Sequence, residues 1–239
     1  DYMNAYVEDL TNVVDVHAHF TPPTFRTAGI AQGPMVGWSV EKQYEEMDKA
    51  GVGRALLSIT TPGVTVAGEP GLQLAREAND YGARIAADSK GRLGLFVYVH
   101  RPDQPEAALK DIEYGLDTLK ANGVCLFTSY GGKYLGDAVY DPLFSELNRR
   151  KTVVYVHPTS GACCVRAVPT VPDTIIEFGT DTTRAITNYV YRGAARRYPD
   201  VKLIFSHAGG TMPFLIERYD VFDRSGQGKA GAPDGFRAE

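Results

Sequence analysis

Histidines carry the most legible chemistry in this chain. His17 and His19 form an H-x-H directly behind the apolar run Val13–Val16, His157 closes the run VVYVH, and His207 closes LIFSH. Alternate residues of an extended strand point the same way, so the two imidazoles of H-x-H can face one ion. Neutral imidazole suits zinc and related divalent ions, and three protein ligands leave an open position for water or substrate. His17, His19 and His157 are therefore the candidate metal ligands. His207 is a candidate for handling a ligand. It precedes Ala208-Gly209-Gly210-Thr211-Met212-Pro213, where small residues let a backbone approach a ligand and Pro213 can open a helix. The fifth histidine, His100, ends another apolar run but leads into Arg101-Pro102-Asp103, and it reads as a surface or structural residue.

These histidines need elements that bring strand ends together. Six short apolar runs recur along the chain: Val13–Val16, Ala55–Ile59, Leu93–Val99, Gly123–Phe127, Val153–Val156 and Lys202–Phe205. They are continuous rather than alternating, as strands buried on both faces of a parallel sheet are. Amphipathic stretches separate them. Ser39 is placed to cap a helix ending before Gly51. Residues 70–87 and 105–119 each carry an apolar stripe, Asp141-Pro142 opens another helix, and Thr182 to Tyr198 runs until Pro199 stops it. Serial strand–helix units predict an α/β chain with a parallel sheet, either a closed barrel or an open doubly wound sheet. No G-x-G-x-x-G follows the first run, which removes the main mark of dinucleotide binding. In a parallel barrel the carboxyl ends of the strands converge on the active-site mouth, and the histidines lie at those ends.

Composition excludes other classes. The 239 residues carry a net charge of −4 and are 44% hydrophobic, which fits a globular domain rather than a disordered or nucleic-acid-binding one. No run approaches the roughly 18 apolar residues of a membrane span. Three cysteines make no disulfide scaffold, so a reducing, cytoplasmic setting is expected. Cys163 and Cys164 read as free thiols and Cys125 as core. The opening DYMNAYVEDL lacks the charged-then-apolar pattern of a leader. Ser225 to Glu239 reads as loop or frayed tail.

The segments VVDVHAHFTPP, VVYVHPT, DTTRAITN and YPDVKLIFSHAGGTMPFL resemble the amidohydrolase superfamily. Within it they look like the metal-dependent decarboxylase branch that includes the aminocarboxymuconate semialdehyde, γ-resorcylate and 6-methylsalicylate enzymes. GVGRALLSITTPGV, DTLKANGVCLFTSYGGKYLGD and DPLFSELNRRKTVVYVHP look closest to the methylsalicylate type. The resemblance runs from about Val13 to about Tyr219.

The resemblance implies a TIM-like (β/α)8 barrel of amidohydrolase type with one divalent metal, zinc first and manganese as the alternative, and no organic cofactor. His17, His19 and His157 match the ligands, and His207 matches the histidine that serves acid–base work. A strand-eight Asp of the family has no placed counterpart. Asp181 in GTDTTRAI matches a helix start and reads as a cap. The implied reaction is non-oxidative loss of CO2 from a small aromatic acid, salicylate- or hydroxybenzoate-like, by a homodimer. Phe20, Arg26, Thr60, Thr128 and Tyr130 are candidate substrate contacts by position, with core as the alternative for Phe20 and a solvated loop charge for Arg26. A metal-dependent hydrolase on the same fold, or a truncated non-catalytic remnant, are the competing expectations. At about 40 residues per unit, closing eight strands needs on the order of 80 residues more. The expectation is one barrel domain over residues 1–239 that lacks strands seven and eight.

Overall fold

A computed structural model describes residues 13–239, so the decapeptide DYMNAYVEDL lies outside the described residues. The chain divides into two compact units, one holding residues up to His100 with Asp111–Val124, the other Arg101–Lys110 with Cys125–Glu239.

The first unit begins with β1 (Val14–His19), the short α1 (Pro23–Thr27), α2 (Val40–Ala50) and β2 (Arg54–Ser58), followed by α3 (Gly68–Asp88) and β3 (Leu93–Tyr98). β1 pairs with β2 and β2 with β3, both in parallel. The expected cap on α2 is present: Lys42 N–H donates to Ser39 Oγ at 3.3 Å, and Gly51 closes the helix in the left-handed region at φ 68°. Helix α3 lies close on the strands. A Cβ on Gly82 would sit 2.7 Å from Leu95 Cδ1 and 2.9 Å from Phe20 Cζ, so any larger residue must displace those side chains. Buried Asn79 of the same helix takes the Tyr98 N–H and donates to the Tyr98 carbonyl, both at 2.9 Å. It thereby satisfies backbone groups where the strand runs out of partners. Helix α4 (Pro105–Glu113) continues as a π-helical turn over Tyr114–Thr118, so the expected helix to Leu119 exists but widens in its last turn.

The second unit contains the end of β4 (Gly123–Phe127), an antiparallel hairpin of β5 (Ser129–Tyr130) and β6 (Lys133–Tyr134), and α5 (Asp141–Arg149). Next come β7 (Val153–His157), α6 (Asp173–Tyr191), α7 (Ala194–Arg197), β8 (Lys202–Phe205), α8 (Ser206–Gly209) and α9 (Met212–Arg224). β4, β7 and β8 follow one another in the sheet, with β7 and β8 parallel and Val153 opposite Lys202 through Val156 opposite Phe205. Val154, Tyr155 and Val156 have no exposed surface, in keeping with a strand covered on both faces.

Three readings change here and a fourth, for His100, is narrowed to one of its two alternatives. The helix expected from Thr182 starts at Asp173, behind Pro172, so Asp181 is an interior helix residue and not a cap. The expected frayed tail packs: Ala232 and Phe236 are buried with Val190 and Met212, and Phe236 stacks on Tyr219 at 4.4 Å. Apolar positions spaced irregularly in a Gly- and Pro-rich tail carry no period, so this packing leaves no pattern to read. Cys163 and Cys164 are joined as a vicinal disulfide rather than left as thiols. His100 is structural and not on the surface. It is 6% exposed, its N–H donates to Asp111 Oδ2 at 3.2 Å, and a Cβ on Gly71 would stand 2.9 Å from its Nε2. Among the described residues no helix is long and apolar enough to cross a membrane.

Candidate active site

In the first unit the H-x-H motif does not sit on a regular strand. The β1–β2 register runs Val14 to Arg54 and Asp15 to Ala55, then resumes at Ala18 with Leu57 and His19 with Ser58, so a bulge falls at Val16–His17. A bulge takes an N–H out of the ladder and re-aims the side chains around it. Here the His17 N–H donates to Asp15 Oδ1 at 2.8 Å. The two imidazoles meet edge to face with centroids 4.8 Å apart. His19 Nδ1 stands 3.2 Å from Ser58 Oγ at the end of β2. Asp15 is thus a site residue that strand periodicity alone does not reveal. Its signal in the sequence is D-x-H, a short acceptor two residues before the histidine.

In the second unit His157 ends β7 with 2% of its surface exposed, among the rings of Phe127, Tyr155 and Phe178. Its Nδ1 lies 2.9 Å from the Pro158 carbonyl oxygen. A carbonyl only accepts, so Nδ1 carries the proton and the lone pair of the neutral ring lies on Nε2. The His207 ring is 5.8 Å from that of His157. His207 and Ala208 both sit in the left-handed region, at φ 51° and 53°, in the turn that leads through Gly209 and Gly210 into α9. Pro213 stands in the first turn of α9, as expected. Although His207 keeps an exposed face, protein atoms around it displace water and hold its imidazole below the ordinary value.

The proposed substrate contacts fall in different settings. Phe20 is 1% exposed and packs with Tyr81 and Trp38, which makes it core, the alternative weighed for it. Arg26 is an exposed residue of α1, and its guanidinium donates to the Trp38 carbonyl at 2.5 Å. Thr60 follows β2, where its carbonyl accepts from Gly63 N–H at 2.9 Å. Tyr130 turns its phenol oxygen back to the Phe127 N–H at 2.7 Å. Thr128 has no exposed surface and its hydroxyl donates to Asp181. That hydroxyl is engaged by the protein itself. Around Asp181 gather Tyr134, donating at 2.6 Å, Thr159, donating at 3.3 Å, and Arg184 at 3.8 Å. Burial together with the Asp181 carboxylate pushes the Tyr134 phenol up to about 12.

A family model described as Amidohydrolase matches residues 14–235. The chain belongs to the amidohydrolase family. Its curated relatives include the decarboxylase yanB of Aspergillus niger, 39% identical over 222 residues, and the 6-methylsalicylic acid decarboxylase of Penicillium expansum, 37% identical over 217 residues. Each alignment covers 86% of this chain, but only 60% and 66% of those relatives, so the chain spans about two thirds of their length or less. Among solved structures, the 5-carboxyvanillate decarboxylase of Sphingomonas paucimobilis superposes with a TM-score of 0.80 at 23% identity, over 92% of this chain and 75% of that one. The 5-carboxyvanillate decarboxylase of Novosphingobium aromaticivorans, complexed with manganese and 4-hydroxy-3-methoxy-5-nitrobenzoic acid, gives 0.76 at 22%, over 91% and 73%. These likenesses establish the fold. The described residues of this amidohydrolase carry six strand–helix units of the TIM-like (β/α)8 type.

Proposed function

We propose that this amidohydrolase works as a metal-dependent, non-oxidative decarboxylase, a carboxy-lyase for a small aromatic acid of the salicylate or hydroxybenzoate kind. The observation that carries the reading is the His157 ring, buried and fixed by the Pro158 carbonyl as the tautomer a divalent ion requires at Nε2. His17 and His19 supply two further imidazoles, and His19 is oriented by Ser58. Imidazoles such as those of His19 and His157, with one ring nitrogen anchored to the protein, fit a zinc or manganese ion, and with the neighbouring His17 we assign them as its ligands. A divalent ion held there would supply positive charge that favours an anionic carboxylate substrate.

The chain's own groups do the rest. His207, in its protonated form, hands a proton to the ring carbon that bears the carboxylate and is reprotonated from solvent on its exposed face. The bond to the carboxylate then breaks, its electron pair returns to the ring, and CO2 leaves. Arg26, in α1 behind β1, and Tyr130, in the hairpin behind β4, stay the candidate substrate contacts. Support comes from the names of the relatives, two decarboxylases at 37–39% identity. The reading includes a homodimer, which sedimentation of the purified protein checks.

The deciding experiment loads the protein with Mn2+ or Zn2+ and offers a panel of hydroxybenzoates beside a panel of lactones. Release of CO2 from a 2-hydroxybenzoate, abolished in His157→Ala, is the expected result. Acid release from lactones with no CO2 from any aromatic acid overturns it in favour of a hydrolase.

A further inference from the structure

We propose that Thr128 and Asp181 together form a clamp that positions His157, and that they are positioning residues rather than substrate contacts. The inference rests on the reading of His157 as a metal ligand. The Thr128 N–H donates to the His157 carbonyl at 3.0 Å, and the Thr128 hydroxyl accepts the Thr159 N–H at 3.0 Å. One residue therefore brackets the backbone His157-Pro158-Thr159 from both ends. Inside that bracket lies the Pro158 carbonyl that takes the His157 Nδ1 proton. The Thr128 hydroxyl has one hydrogen, and it goes to Asp181. That fixes the oxygen lone pairs toward Thr159.

Asp181 has no exposed surface, and a buried carboxylate persists only where donors surround it. Its donors are Thr128, Thr159 and Tyr134, with Arg184 nearby. The loop behind β7 is packed onto this carboxylate, since a Cβ on Gly161 would stand 2.8 Å from Asp181 Oδ1. Helix α6 thus delivers one charge, nine residues from its start, to the residues that set the direction and tautomer of a histidine on another element. A group that only filled space there would need none of this directionality.

The test compares Thr128→Val, which removes the hydroxyl at constant shape, with Thr128→Ser, which restores it, and with Asp181→Asn. Two readouts are taken: Mn2+ affinity from the electron spin resonance of unbound Mn2+, and the His157 tautomer from long-range 1H–15N spectra of the metal-stripped protein. We expect wild type to show the Nδ1–H form. Thr128→Val and Asp181→Asn should mix in the Nε2–H form and weaken Mn2+ roughly 10–100-fold, as loss of a group that orients a ligand does. Thr128→Ser should stay within about threefold of wild type, and the double variant should be no worse than Thr128→Val. A folded Thr128→Val with wild-type affinity and tautomer overturns the clamp. So does an Nε2–H His157 in wild type, a result that needs no variant to fold. If wild type binds no Mn2+, or His157→Ala binds it unchanged, the metal reading fails, and the tautomer data alone then decide the clamp.

Discussion

The two compact units hold their histidines by different means. In the first, His17 and His19 stand on a strand paired with β2, and their spacing comes from the backbone, adjusted by one bulge and one carboxylate, Asp15. In the second, His157 is aimed by side chains, with Thr128 bracketing it and Asp181 behind Thr128. Strand pairing spreads the constraint over many backbone hydrogen bonds. A side-chain clamp concentrates it in two or three groups. The first arrangement should tolerate the loss of a helper residue, while the second should not.

The sharpest way to break this comparison is to remove the proposed ligands themselves. His17→Ala and His157→Ala should each cost more Mn2+ affinity than the roughly 100-fold ceiling expected for orienting groups, as measured by equilibrium dialysis. If either variant kept wild-type affinity, that histidine would have no part in metal binding. The scaffold comes next. Gly82→Ala, which drives a methyl into Leu95 and Phe20, should destabilise by about 1–3 kcal/mol in urea titrations through overpacking. A neutral effect would mean that α3 is looser on the strands than the distances say.

Asp15→Ala then measures how much one helper matters on a strand. It leaves the His17 N–H unsatisfied, for a cost of about 1 kcal/mol, with an affinity loss smaller than that of Thr128→Val. A larger loss than Thr128→Val reverses the contrast drawn here.

Acid response gives the smallest expected effect, and it too separates the units. In the second, Arg149 and Arg150 hold the Glu146 carboxyl down at about 2. Its native-state value lies below its unfolded value of 4.5, so this pair stabilises above that pH and the contribution is lost as the pH falls toward 2. In the first, burial raises Asp111 above its usual 3.8, despite the His100 N–H and Arg76. The native state then holds that proton more tightly, so Asp111 opposes folding once it ionises and ceases to do so as acid protonates it. Unfolding curves of Glu146→Gln and Asp111→Asn between pH 3 and 7 should shift in opposite directions, each by on the order of 1 kcal/mol. Equal shifts would show that neither group senses its surroundings.

Much of the scaffold was legible because its signals are local. Continuous apolar runs marked the strands, Ser39 and Gly51 marked the ends of α2, and four histidines fell at strand ends. What stayed hidden depends on distant partners. Asp181 sits in G-T-D-T-T, a sequence that looks like a cap, and only the earlier start of α6 at Asp173 places it inside the helix. Thr128 was legible as a strand-end residue, but its direction, toward Asp181 rather than a substrate, depends on a helix 53 residues on. The bulge at His17 is likewise invisible to period-two reasoning, because it appears only when β1 is paired with β2. Phe236 leaves no pattern because a lone aromatic in a glycine-rich stretch has no period to follow.

The turn that carries His207 has a consequence for what any descendant of this sequence can accept. His207 and Ala208 are consecutive non-glycine residues in left-handed geometry, where a side chain branched at Cβ collides with its own backbone. A library randomised at position 208 and selected only for folding should return glycine, asparagine and aspartate and be nearly empty of valine and isoleucine. The vocabulary open to that position is therefore set by the handedness of the chain, before any selection for chemistry begins.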